Sequence, residues 1–173
     1  MARRLRYQVA TSLDGYIAGP QDEFDWIIMD PDIDFAALYA QFDTAVMGRK
    51  TFLVTLQQGG TGEMPGLDVV VFSHTLGPDD YPAVSIVNID PVEHVRSLKA
   101  KPGKDIWLFG GGELFRTLLA AGLVDTVEAA VVPVLLGDGI PMLPTTASRT
   151  RLTLSHYRLY PKSGIVLLEY TVR

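Results

Sequence analysis

Ile106-Trp107-Leu108-Phe109-Gly110-Gly111-Gly112-Glu113-Leu114-Phe115 sets four bulky apolar residues directly before three glycines. A short apolar run of this kind suits a strand buried on both faces, as in a parallel sheet. A helical pattern opens at Glu113: Leu114, Phe115, Leu118 and Leu119 recur at helical spacing, and Gly122 stands at the expected C-terminal cap. A strand that passes into a helix over bare glycine presents backbone N–H groups and a positive dipole end at the edge of a sheet. That geometry receives phosphates and other anions.

Outward from this unit, the chain reads as alternating strands and helices. Leu5, Tyr7 and Val9 alternate with polar neighbours, which predicts a strand leading into the loop of residues 11–20. The acidic and aromatic stretch 21–31 has no clear period. Phe35, Leu38, Tyr39 and Phe42 fall at helical spacing, with Asp32 or Asp34 placed to cap the helix. Thr44-Ala45-Val46-Met47 is a buried strand that ends at Gly48, and a helical turn begins at Arg49. Residues 57–66 hold four glycines and a proline, a surface loop. Residues 68–72 and 84–87 are further strands. Asp90-Pro91-Val92-Glu93 is a strong helix start, with an acid at the cap, proline at the first position and another acid in the first turn. Residues 127–136 predict a long strand broken late by Pro133, and 152–172 a C-terminal antiparallel hairpin turning at Pro161-Lys162-Ser163-Gly164. The fold expected is α/β: three layers, a mostly parallel twisted sheet with helices on both faces, and an antiparallel C-terminal hairpin. With 173 residues and no linker or repeat, one domain over 1–173 is expected.

Composition narrows the functional classes. A formal net charge of −5 leaves no basic excess for nucleic acid. The absence of cysteine removes disulfides, thiolate metal sites and a cysteine nucleophile, and suits a reducing cytoplasm. No apolar run approaches the roughly 20 residues that span a bilayer, and Met1-Ala2-Arg3-Arg4 has no signal core behind it. His74, His94 and His156 have no ligand spacing, so no metal is expected. A Rossmann fingerprint from Gly110 would need glycine where Phe115 stands, Gly48-Arg49-Lys50-Thr51 is not a Walker loop, and no nucleophile elbow occurs.

Polar clusters fall where strands end: residues 11–16, 48–51, 73–75 and 110–113. Ligands of such sheets sit beyond the C-terminal strand ends. Ser12-Leu13-Asp14-Gly15-Tyr16-Ile17-Ala18, Val46-Met47-Gly48-Arg49-Lys50-Thr51-Phe52 and Leu108-Phe109-Gly110-Gly111-Gly112-Glu113-Leu114, with Leu136-Gly137-Asp138-Gly139 after them, are similar to motifs of one family in order and spacing. The ordered set resembles the dihydrofolate reductase-like fold, and within it the reductase domain of bacterial riboflavin biosynthesis and its small stand-alone relatives. That resemblance implies a twisted eight-stranded sheet, an NADPH-dependent reductase acting on a small molecule, and often a homodimer. It further implies that the glycine run lies along the cofactor, often with a cis peptide, here Gly110–Gly111 or Gly111–Gly112.

The residue chemistry agrees with NADPH, whose 2′-phosphate calls for cations and hydroxyls. Gly48, Arg49, Lys50 and Thr51 after one strand, and Ser73, His74 and Thr75 after another, supply them. Gly110, Gly111, Gly112, Glu113 and Leu114 form the second cofactor wall, and the resemblance adds Ala10 and Ile17 beside the 11–17 lid. Hydride transfer leaves charge on the acceptor, so a proton source belongs nearby. Asp32 and Asp34 are candidates by likeness to folate-reducing members, and Asp14 by likeness to the riboflavin-type Ser-Leu-Asp-Gly loop. Riboflavin-type relatives typically carry lysine where this chain has Tyr16, which weakens a phosphoribosyl substrate. The leading expectation is therefore reduction of a small pteridine- or pyrimidine-like molecule, or another carbonyl or imine. That covers 5-amino-6-(5-phosphoribosylamino)uracil reductase activity or a paralogue of it, with dihydrofolate reduction second. A non-catalytic NADP-binding regulatory protein is the expectation of a different class.

Overall fold

The computed structural model describes residues 3–57, 59–146 and 148–173. Met1 and Ala2 of the N-terminal reading, and Gln58 of the 57–66 loop, lie outside the described residues. In chain order the elements are β1 (Leu5–Ser12), β2 (Tyr16–Ala18), α1 (Phe35–Tyr39), β3 (Phe42–Gly48), α2 (Arg49–Gln57), β4 (Asp68–Phe72), β5 (Ser85–Val87), α3 (Pro91–Ala100), β6 (Asp105–Gly110), α4 (Gly112–Ala120), β7 (Thr126–Val132), β8 (Ile140–Pro141), β9 (Leu152–Tyr160) and β10 (Ile165–Val172). Eight strands form one sheet in the order β5-β4-β3-β6-β1-β7-β10-β9, while β2 and β8 pair separately. The first six of that order run parallel, and β10 and β9 close the far edge antiparallel.

Strand alternation divides the core. Leu5 and Tyr7 of β1, Val46 of β3 and Ile106 and Leu108 of β6 face Val95 of α3 and Leu114, Phe115 and Leu118 of α4. Met47, Val69 and Val71 point the other way, onto Phe52 of α2. Helix α3 starts as its residues predict, with Asp90 accepting from Val92 N and Glu93 N. Helix α4 ends in a Schellman turn: Gly122 takes φ +68°, Leu123 N bonds Leu118 O, and Gly122 N bonds Leu119 O, each at 3.0 Å.

Three sequence expectations are corrected. Phe42 is not the fourth position of a helix. Helix α1 has only five residues, and Phe42 opens β3, stacked on Trp107 with ring centroids 5.3 Å apart. Burial of that ring in the sheet outweighs a helix with no buried residue. The strand expected over 127–136 stops at Val132, because Pro133 has no N–H for the ladder. The chain then turns back, and two of its residues form β8 against β2 inside the stretch read as a loop.

One face carries a buried ion pair. Arg6 Nε and Nη2 donate to the two Glu128 oxygens at 2.7 and 2.8 Å, and Arg6 Nη1 donates to Gln41 Oε1 at 2.7 Å. Glu128 is 2% exposed. Removing one partner strands the other charge in the sheet, which typically costs about 3–5 kcal/mol. Glu128→Ala should therefore lower the urea-unfolding free energy by about that amount, whereas Arg6→Met with Glu128→Leu recovers most of it. A single-variant loss below about 1 kcal/mol would show that water reaches the pair.

Candidate active site

At the C-terminal ends of β3, β6 and β1 lies a cleft of about 1470 Å³. Two helix starts open into it. Arg49 begins α2 directly after β3, and Gly112 begins α4 after the glycine run. Gly111 caps α4 with no side-chain hydrogen bond, so the first-turn N–H groups keep their donors for a ligand. The peptide between Gly110 and Gly111 is cis.

Glycine is required at position 112 of this turn and fits best at 111. A Cβ on Gly112 would stand 2.8 Å from the Pro141 carbonyl oxygen and 2.9 Å from Pro144 Cδ, and one on Gly111 would stand 3.2 Å from Thr51 Oγ1. The absent side chains let α2, the glycine run and the strap after β8 converge. The strap is tied from below: Tyr7 Oη donates to Met142 O at 3.2 Å, and Met142 N donates to Gly15 O at 2.9 Å. Burial pushes the Tyr7 phenol well above its usual range, so it stays a neutral donor.

The expected cofactor residues fall in two groups. Gly48, Arg49, Lys50 and Thr51 line the cleft, as do Gly110, Gly111, Gly112, Glu113 and Leu114, with Ala10 and Ile17 beside them. Arg49 and Lys50 are exposed, and neither makes an ion pair among the described residues. Ser73, His74 and Thr75 follow β4, one strand further out, and are not part of the cleft lining. Ser73 Oγ is occupied there, accepting from Thr75 N and Leu76 N, and the His74 ring bonds Asn88.

The three carboxylates separate as well. Asp14 lies outside the cleft lining and clasps two loops: Ser12 Oγ donates to it at 2.6 Å, Gly137 N at 2.8 Å and Leu136 N at 3.1 Å. The Ser12 hydroxyl first, and the Gly137 amide next, hold its pKa down at about 2. The ionised carboxylate so engaged fastens the two loops. Asp32 pairs with Lys162 at 2.7 Å, away from the cleft. Asp34 does line the cleft, and its Oδ1 also accepts from Ala37 N at 2.9 Å as the cap of α1.

The structure adds walls that the sequence did not mark. Tyr39, Trp107 and Phe109 form an aromatic floor, with Trp107 edge-on to Tyr39 at 5.4 Å and to Phe109 at 5.2 Å. Ile27, Ile28 and Met29, from the stretch without a period, border the opening, and Ile28 and Met29 are exposed. Gln8 reaches the same floor from β1. For Ile27, Ile28 and Met29 the one advance signal was apolar character in a stretch with no regular period.

Such a sheet, with glycine-lined helix starts facing an aromatic cleft, defines a dihydrofolate reductase-like oxidoreductase. The chain belongs to the RibD C-terminal domain family, whose model matches residues 3–166. It is similar to the uncharacterized protein YyaP of Bacillus subtilis (strain 168), 37% identical over 179 residues and covering 97% of this chain and 94% of YyaP. A solved structure from Shewanella sp. PV-4, named provisionally for riboflavin biosynthesis, superposes with a TM-score of 0.83 at 28% identity over 100% of this chain and 99% of that one. Dihydrofolate reductase from Enterococcus faecalis, complexed with NADP(H), shares the fold at a TM-score of 0.73 and 15% identity, covering 100% and 99% of the two chains. The protein is a reductase of the RibD type.

The Asp14 clasp makes a pH prediction. A carboxylate whose folded pKa lies below its usual 3.8 adds stability that is fully present above about pH 4 and is lost as the pH falls toward about 2. Asp14→Asn should lack that component. Its stability deficit against the parent, read by urea unfolding, should shrink from pH 5 to about pH 2. A deficit constant across that window would show that the clasp does not depend on charge.

Proposed function

We propose that the protein is a cytoplasmic, NADPH-dependent reductase that delivers hydride to a C=O, C=N or related centre of a small heterocyclic molecule. The observation that carries this reading is the pair of helix starts, α2 and α4, opening into one cleft beside Arg49 and Lys50, which make no ion pair among the described residues. The residues fit a dinucleotide: the first-turn N–H groups of α4 have no side-chain cap, and NADPH, when bound, supplies the hydride. The α4 amides would face the pyrophosphate, while Arg49, Lys50 and Thr51 would hold the 2′-phosphate end. Tyr39, Trp107 and Phe109 line the cleft with apolar rings, which would keep water from the reacting centre. Of the three candidate acids, Asp34 is the one in the cleft, and it is our candidate for protonating the reduced substrate. Tyr16, where riboflavin-type relatives typically have lysine, favours a substrate without the phosphoribosyl group.

The cofactor reading is tested by quenching of Trp107 emission, in a Trp26→Phe background, with NADPH and with NADH. NADPH should bind at least about tenfold more tightly, and Arg49→Ala with Lys50→Ala should erase most of that preference. Equal affinity for both dinucleotides in the parent protein would remove the phosphate role of these cations.

We also propose that the protein is a homodimer. The edge strand β9 exposes Leu152, Leu154, Tyr157 and Leu159, between 41% and 67% accessible, on one side of the sheet. An apolar patch on an edge strand of nine residues is an association surface, and a second copy offers it a like surface. Sedimentation equilibrium should give a dimer that Tyr157→Lys with Leu159→Glu converts to monomer; a monomeric parent protein would overturn the proposal.

A further inference from the structure

The cleft extends well past the residues assigned to the cofactor. From Gly48 on β3 to His156 on β9 it crosses neighbouring strands over about 24 Å at the usual strand spacing. The glycine run, Arg49 and Lys50 lie at its β3–β6 end, which leaves an arm over β7, β10 and β9. Strand register shapes that arm. Ala10, Ala130 and Leu167 stand side by side across three strands, and the next residue in the row is Arg158. On one flank Glu169 faces His156, and on the other Ile165 faces Tyr160. Two alanines between bulkier rows make a trough that ends at Arg158. Trp26 and Ile33 pack against Tyr160 and Ile165, so the 21–34 stretch borders the trough. His156 and Arg158 alternate with Tyr157 and Leu159, and so lie on the other side of β9 from the association surface.

We propose that this arm is a second subsite, in which Arg158 binds a carboxylate carried on the apolar distal end of the substrate. Arg158 makes no ion pair among the described residues. Its guanidinium lies over the Tyr160 ring, 4.7 Å from the centroid. Stacking occupies one face of that group and leaves its planar N–H fork to donate, a geometry that matches the two oxygens of a carboxylate. Glu169 has His156 directly opposite as its nearest counter-group, whereas Arg158 has only Leu167 opposite. The acids Glu169, Asp22 and Asp25 also line the cleft, so a monoanion is repelled less there than a dianionic phosphate. Leu167 and the two alanines supply apolar contact for the chain that carries the carboxylate. This inference rests on the reductase reading above, for which it names the substrate class.

The experiment uses the whole chain, labelled with nitrogen-15, and three probes that share a phenylalkyl arm: 4-phenylbutyrate, the neutral 4-phenylbutyramide and the dianionic 3-phenylpropylphosphonate. Each is titrated by NMR with saturating NADP+, which occupies the Arg49–Lys50 end, and again without it. The parent protein should bind the carboxylate at least about tenfold more tightly than the amide, because a charge-assisted two-point contact is lost with the charge. The arginine Nε–H signal that disappears in Arg158→Gln should be the one that shifts most. Arg158→Gln should abolish the preference while keeping NADPH affinity and melting temperature, and Arg158→Lys, which keeps charge without the planar fork, should retain part of it. Arg158→Glu should reverse the preference, toward 4-phenylbutylamine. No carboxylate binding, no preference in the parent, or a preference that survives in Arg158→Gln would overturn the assignment. Tighter binding of the phosphonate than of the carboxylate would overturn the ligand class. The two readings fail separately: absent NADPH binding sinks the cofactor reading, while the titration of the cofactor-free protein still reports on Arg158.

Discussion

Close approach of the Thr51 hydroxyl to Gly111, and of the Pro141 carbonyl to Gly112, is the constraint on which the rest of the site depends. With no Cβ at either position, Thr51 from α2 and the Pro141 carbonyl from the strap can both press against the end of β6. One consequence is geometric, since two helix starts from separate crossovers share one cleft. Another is chemical, since the uncapped amides of α4 remain available. The strap then needs its own anchors, which explains why Tyr7 and Gly15 are committed to Met142 and why Asp14 clasps Leu136 and Gly137.

Charge is distributed to serve that cleft. Arg6, on its lining, is neutralised by the buried Glu128 within the sheet, beside the aromatic residues Tyr39, Trp107 and Phe109. Arg49 and Lys50 stand at the start of α2, where a phosphate would meet them and the helix dipole together.

Much of this architecture was legible in the residues. The apolar run before three glycines located β6 and α4, Asp90-Pro91 located α3, and the alternation of the last twenty residues located β9 and β10. Failures had physical causes. Phe42 matched a helical period by chance and was claimed by the sheet through Trp107. Pro133 ended β7 earlier than apolar character suggested. Two-residue β8 has no sequence period, since its pairing is decided by a partner more than 120 residues away. Among the site residues, those adjacent to glycine were readable because glycine advertises backbone geometry. Gln8, Tyr39 and Ile28 were not, because an amide, a phenol or an apolar residue looks the same in the core and in a cleft.

The sequence by itself determined the alternating α/β plan, the glycine-built turn and the family, since these depend on local periodicity, backbone freedom and ordered motifs. Tertiary structure alone decided how the acids divide: Asp14 became a loop clasp, Asp32 an ion-pair partner, and Asp34 a cleft residue. The reason is that a side chain's role follows from which partners reach it first, and those partners lie up to 130 residues away along the chain.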